Sequence, residues 1–241
     1  MIHAVTGIQG AGKTQFAAAY ARARLAAGWR LVAWVNAADP AVLRAGLAAV
    51  AEELGLADDR TSQGGGDAGR AVRDWLERDG RRCLVVFDNA LDPDGIRPLL
   101  PARGSARVLI TGSRRPVASL GACLPVDVFS PDEALAFLAQ RTGLADTAGA
   151  SALARELGYL PLALAQAAGA IAAQDLAYWT YLGRLRALPV SARLTREAGP
   201  PYPRGVAEAI ILSLDSARAG DRTGVDTGIM EIRRASCRER V

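Results

Sequence analysis

One lysine occurs among the 29 Lys and Arg residues of this chain, and it is Lys13, inside the run GIQGAGKT from Gly7 to Thr14. The run fits G-x-x-x-x-G-K-T, the P-loop pattern, and the residue types follow from the chemistry of a phosphate chain. Glycines leave backbone N–H groups free to face phosphate oxygens, the ammonium bridges the outer phosphates, and the threonine hydroxyl completes a Mg²⁺ shell. In so arginine-rich a chain, a lysine kept here indicates that a compact point charge is needed rather than a planar fork. Gly7, Gly10, Ala11, Gly12, Lys13, Thr14 and Gln15 are therefore the candidate binding residues for ADP or ATP, with Thr14 assisting Mg²⁺.

The pattern requires a buried strand before it and a helix after it. Ile2 to Thr6, IHAVT, is short and β-favouring. Thr14 opens TQFAAAYARARLAAG, where Phe16, Tyr20 and Ala23 or Ala27 recur at helical spacing before Gly28 closes the segment. The phosphates are then expected at the positive end of that helix, where unpaired N–H groups and the macrodipole both favour anions.

A length of 241 residues, half of them hydrophobic, is enough for one large or two small domains. No apolar run reaches the length of a membrane span and no secretory leader precedes the first strand, so a cytoplasmic location is expected. Cys83, Cys123 and Cys237 are odd in number and show no metal-ligand spacing, which points to incidental thiols in a reducing compartment. The single histidine, His3, has no partner residue indicated and reads as a packed strand residue. Of the formal charge of +4, the last eleven residues, EIRRASCRERV, supply half through four Arg and two Glu. The rest is unremarkable, no basic stripe is interleaved with aromatics, and nucleic-acid binding is not indicated.

Buried strands alternate with helices after the first turn. RLVAWV reads as the second strand; Asp39-Pro40 opens a helix with Leu43, Leu47, Val50 and Leu54 on one side and Gly55 at its end. A polar glycine-rich loop, a helix with Val72, Trp75 and Leu76, the strand CLVVF ending at Asp88, the strand RVLIT ending near Thr111, and a short fifth strand VDVF follow. This order predicts an α/β fold with a parallel sheet covered by helices on both faces. From Ser130-Pro131-Asp132-Glu133, a capping box, to about Arg186 the chain reads as helices only. The expected organisation is a nucleotide-binding domain at 1–129, a small all-α domain at 130–188, and a Pro/Gly-rich linker with one more helix at 189–230. Residues 231–241 break from the preceding composition and read as a non-native tail.

Asp88 follows four hydrophobic residues at the carboxyl end of a strand, which is where ligands bind in open α/β sheets, and with the P-loop upstream it becomes the expected second Mg²⁺-assisting group. TGSRR, at the end of the fourth strand, places Arg114 or Arg115 at the same edge, where a guanidinium is suited to a γ-phosphate.

Taken together, GIQGAGKTQFA, AWVNA, LVVFDNA, VLITGSR and GYLPLALAQAAG, in this order, resemble the NB-ARC type of STAND nucleotide-binding switch, over about residues 2 to 230. The resemblance implies a P-loop NTPase sheet, a helical domain and the start of a winged-helix domain. It implies that Gly7, Gly10, Gly12, Lys13 and Thr14 form the phosphate loop, that Thr14 and Asp88 assist Mg²⁺, that Arg114 senses the nucleotide, and that Pro161 in GYLPLA lies against the adenine. Residue 161 is equally a favoured place for proline as the first residue of a helix. Two departures stand out. Asn89 occupies the place where many relatives have a second acid, and an amide cannot take a proton from water, so hydrolysis is expected to be slow. The histidine that the family's winged-helix domain offers to the ADP phosphate has no counterpart after His3, so that domain reads as truncated.

The expected function is an ADP/ATP-operated signalling switch that opens and self-associates on exchange. A remodelling or loader ATPase is the competing reading, opposed by Asn89 and the near-neutral charge. A small-molecule kinase and an inert piece of a larger receptor are the other two.

Overall fold

The computed structural model describes residues 1–56, 65–112 and 117–187, with side chains described outside 65–67. They fall into two compact units, Met1–Val126 and the segment from Asp127 onward.

Five parallel strands make up the sheet of the first unit: β1 (Ile2–Thr6), β2 (Leu31–Asn36), β3 (Cys83–Ala90), β4 (Arg107–Gly112) and β5 (Ala122–Pro125), in the order β2-β3-β4-β1-β5. Helices α1 (Lys13–Ala26), α2 (Pro40–Glu53) and α3 (Gly65–Asp79) and the one-turn α4 (Pro93–Ile96) make the crossovers. Side-chain alternation explains the near-continuous apolar run of β3. Cys83, Val85 and Phe87 join the core beneath α2 and α3, with Leu43, Leu47, Val72 and Leu76, whereas Leu84 and Val86 face α1 with Ala17 and Ala21. Both faces are dry, and each buried Leu or Phe contributes about 1.5–3 kcal/mol. Asp39 caps α2 through the amides of Ala41 and Val42, with Pro40 in the first turn, as expected from the sequence.

The helix expected after the phosphate loop is present, with Ala17, Ala18 and Ala21 as its buried residues and Phe16 44 % exposed. Close approach of the helix to the sheet selects small side chains and leaves the aromatics at the flanks. One sequence expectation needs correction. The fifth strand is Ala122–Pro125 and not VDVF, four residues later. VDVF alternates because Val126 stays with the sheet, donating its N–H to the Thr6 carbonyl at 2.7 Å, while Val128 and Phe129 pack against the helical core.

The second unit begins with the expected capping box, Ser130 Oγ accepting from the Glu133 amide and Glu133 from the Ser130 amide, at the head of α5 (Pro131–Thr142). Helices α6 (Thr147–Glu156), α7 (Pro161–Gln174) and α8 (Tyr178–Ala187) close around Leu138, Leu153, Leu157, Leu164, Tyr181 and Leu185. Burial pushes the Tyr181 phenol up to about 12. The expected linker, final helix and tail lie outside the described residues.

Candidate functional site

Three glycines of the phosphate loop are required for different reasons. Gly10 and Gly12 take φ of 82° and 99°, a region that L side chains rarely enter. Gly7 is excluded from substitution by space instead, since a Cβ there would run into the carbonyl of Val126. Ala11 is buried between them and its amide donates to the Ile8 carbonyl at 3.3 Å, tightening the loop. The loop delivers the chain to α1 through Gly12, without a side-chain cap and without an acid in the first turn. By contrast Asp39, Ser130 and Asp146 cap α2, α5 and α6. The first amides of α1 are thus left for an external anion.

Lys13 folds back over the loop, its Nζ donating to the Gly7 carbonyl at 3.0 Å and the Ile8 carbonyl at 2.9 Å. An ammonium has three donors, so one remains for a phosphate oxygen. Burial holds its pKa below the ordinary value, with Asp88 pulling the other way. Gln15 lies exposed in the first turn of α1.

Thr14 and Asp88, separated by 74 positions, meet directly: Thr14 Oγ1 donates to Asp88 Oδ1 at 2.9 Å. The parallel register that sets Asn36 opposite Asp88 brings the ends of β2 and β3 to the edge where the phosphate loop leaves β1. One hydroxyl and one carboxylate suit Mg²⁺, which takes most of its ligands from phosphates and water. No group of three or more His, Cys, Asp or Glu that could hold a metal unaided exists among the described residues.

Asn89 follows with φ of 60°, exposed, at an irregularity within β3 where the β3 to β4 register shifts between Phe87 and Ala90. Asparagine is among the few non-glycine residues that tolerate this conformation, so its presence has a backbone reason apart from any catalytic one. This irregular stretch of β3 is held by a residue that sequence reasoning treated only as a strand end. Thr111 is 1 % exposed; its Oγ1 accepts from the Asn89 amide at 2.9 Å and donates to Asp88 Oδ1 at 2.6 Å. A hydroxyl ending the apolar strand next to the one that ends in aspartate was the available signal. Arg114 and Arg115 lie outside the described residues. Pro161 stands in the first turn of α7, after Gly158 and Tyr159 in left-handed backbone (φ 60° and 56°), within the helical unit.

Comparison with known proteins agrees with this geometry. The NB-ARC domain model matches residues 1–147. The chain belongs to the NB-ARC family. It is 37 % identical over 192 residues to the regulatory protein AfsR of Streptomyces griseus and 36 % identical over 188 residues to that of Streptomyces coelicolor. Each match covers 74 % of this chain but only 19 % and 18 % of those regulators, so the chain spans about a fifth of their length. A solved Walker-type ATPase of Pyrococcus abyssi shares the fold, with TM-score 0.53 at 13 % identity over 90 % of this chain and 71 % of that one. The NB-ARC chain is thus a STAND-class, nucleotide-binding P-loop protein with a parallel sheet flanked by helices. No helix among its described residues is long and apolar enough to cross a membrane.

Proposed function

We propose that this NB-ARC chain is a nucleotide-operated switch in which ADP favours a closed arrangement and exchange for ATP favours one that opens and self-associates. The observation that carries the reading is the bond from Thr14 to Asp88, which joins the phosphate loop's helix to the neighbouring strand end in the arrangement that a Mg²⁺-nucleotide needs. The backbone amides of Gly10, Ala11, Gly12 and Gln15 bind the phosphates, Lys13 neutralises the outer ones, and Thr14 and Asp88 hold Mg²⁺ directly or through its water. Bound Mg²⁺ supplies charge neutralisation between the phosphates. Gly7 sets the loop's path. Arg114 reports the γ-phosphate, and Pro161 is the helical unit's contribution to the base contact. Hydrolysis is slow, because Asn89 offers no carboxylate to a water. The protein acts in the cytoplasm, and its self-association is the step that the nucleotide controls.

A direct test is to purify the full chain without added nucleotide, denature it, and separate the released small molecules by chromatography, with Lys13→Ala alongside. Stoichiometric ADP from the parent and none from the variant supports the switch. A parent that releases nothing and has no affinity for added ADP or ATP overturns it. Rapid steady-state turnover would instead favour a remodelling ATPase.

A further inference from the structure

Asp88 keeps its register with Asn36 of β2, but Asn89 sits where the ladder between β3 and β4 is irregular, so its amide needs a partner other than the β4 backbone. The Asp88 carbonyl accepts from the Ala37 amide at 2.7 Å. The Asn89 amide has Thr111 Oγ1. An amide can only donate, so Thr111 accepts there, and its single proton is directed to Asp88 Oδ1 at 2.6 Å. The direction of both bonds is thereby fixed without ambiguity.

Thr111 and Thr6 are the two buried polar residues among those described, each under 3 % exposed, and they differ in what they face. Thr6 Oγ1 meets the Cys123 thiol at 3.1 Å, a weak partner. Thr111 meets a carboxylate, in a bond of the short, charge-assisted kind. It sits opposite Val5 in the register of β1 and β4, so the backbone that carries it is fixed by the strand leading into the phosphate loop.

We propose that Thr111 is a positioning residue: its buried hydroxyl fixes the orientation of the Asp88 carboxylate toward a nucleotide-bound Mg²⁺ and holds the left-handed backbone of Asn89 within β3 in place. Thr14 and Thr111 donate to the same oxygen, Oδ1, one from an exposed side chain and one from a buried one. With one oxygen engaged twice, the carboxylate presents the other to a cation or to its water shell. Thr14 sits on the exposed side and is shared with the cation, whereas Thr111 is dry and acts only through Asp88.

The inference rests on the nucleotide-switch reading, and the experiment separates the two. Affinity for a fluorescent ADP is titrated with Mg²⁺ and with EDTA for the parent, Thr111→Val and Thr111→Ser, with Thr111→Ala as the substitute should the valine variant not fold. Loss of a group that orients a metal-binding side chain typically weakens metal binding by about 10- to 100-fold. The Mg²⁺-dependent gain in affinity is therefore expected to fall at least about 10-fold in Thr111→Val, to survive in Thr111→Ser, and to leave the affinity in EDTA unchanged. Amide hydrogen exchange at Asn89, read without nucleotide, is expected to accelerate in Thr111→Val and not in Thr111→Ser. A valine variant that keeps the full Mg²⁺ gain and slow exchange at Asn89 overturns the role of Thr111 alone. A parent without affinity for nucleotide overturns the switch reading, and this role with it.

Discussion

The two edges of the sheet use positive charge in opposite ways. At the carboxyl edge one lysine stands in a glycine loop, its ammonium held only by carbonyls and free to gain a phosphate. At the amino edge, where β2 and β4 begin, arginines lie over aromatic rings. Arg24 is 4.5 Å from the Tyr20 ring centroid and 5.3 Å from Trp29, Arg107 is 5.4 Å from Trp29, and Arg30 is 5.8 Å from Trp75. Arg107 also donates to the Tyr20 hydroxyl at 2.8 Å. None of these three arginines forms an ion pair among the described residues. A planar, weakly hydrated guanidinium gains from stacking, and a compact ammonium gains from converging oxygens. The difference teaches that arginines at the amino edge serve packing, and that the one lysine marks the place where packing is not the task.

The largest effect that can break this comparison is expected at the packing edge. Trp29→Ala removes the ring that two guanidiniums share and is expected to lower stability by about 3 kcal/mol in chemical denaturation. Nucleotide affinity should be unaltered; a parallel loss of binding would show that the edges are not independent. Next, Lys13→Arg keeps the charge and should leave the unfolding midpoint in place while weakening ADP by about 10- to 100-fold in a binding titration, the worth of one or two charge-assisted bonds. Equal affinity would erase the distinction between the two cations.

The pH dependence sharpens it further. Burial lowers the Lys13 pKa below 10.5, so the folded protein holds this proton less tightly than the unfolded chain does. The contribution of Lys13 to stability therefore rises with pH, from the lowered value up to the ordinary one. Phosphate binding needs the charged form, so nucleotide affinity is expected to fall as pH climbs through the lowered value. The slope is at most about tenfold per pH unit. An affinity flat to the ordinary lysine range would contradict this. Smallest, Asn89→Ala is expected to cost about 1 kcal/mol and Asn89→Gly almost nothing, because the burden is the left-handed backbone. Asn89→Asp keeps that tolerance and is expected to raise ATP turnover in a phosphate-release assay.

Much of this was legible because the signals are local. The glycine spacing, Lys13, the Asp39-Pro40 opening and the Ser130 to Glu133 box each specify their own geometry within a few residues. Helical spacing alone did not say which face is buried: the small residues Ala17, Ala18 and Ala21 face the sheet and Phe16 does not. The fifth strand is where the sequence misled. All four residues of β5 are exposed, so that edge strand carries no alternation, whereas VDVF alternates for a different reason. Thr111 was invisible as a partner of Asp88 because their 23 positions of separation close only through the parallel register. The pairing of Thr14 with Asp88 was anticipated from the motif, but only the fold shows both hydroxyls on one oxygen.

The contact between Gly7 and the Val126 carbonyl has a mechanical meaning. The chain leaves the sheet unit pinned to the Thr6 carbonyl and pressed on the first residue of the phosphate loop. A side chain at position 7 would have to push this exit segment away from β1, so the path of the phosphate loop and the path of the chain leaving β5 are set together.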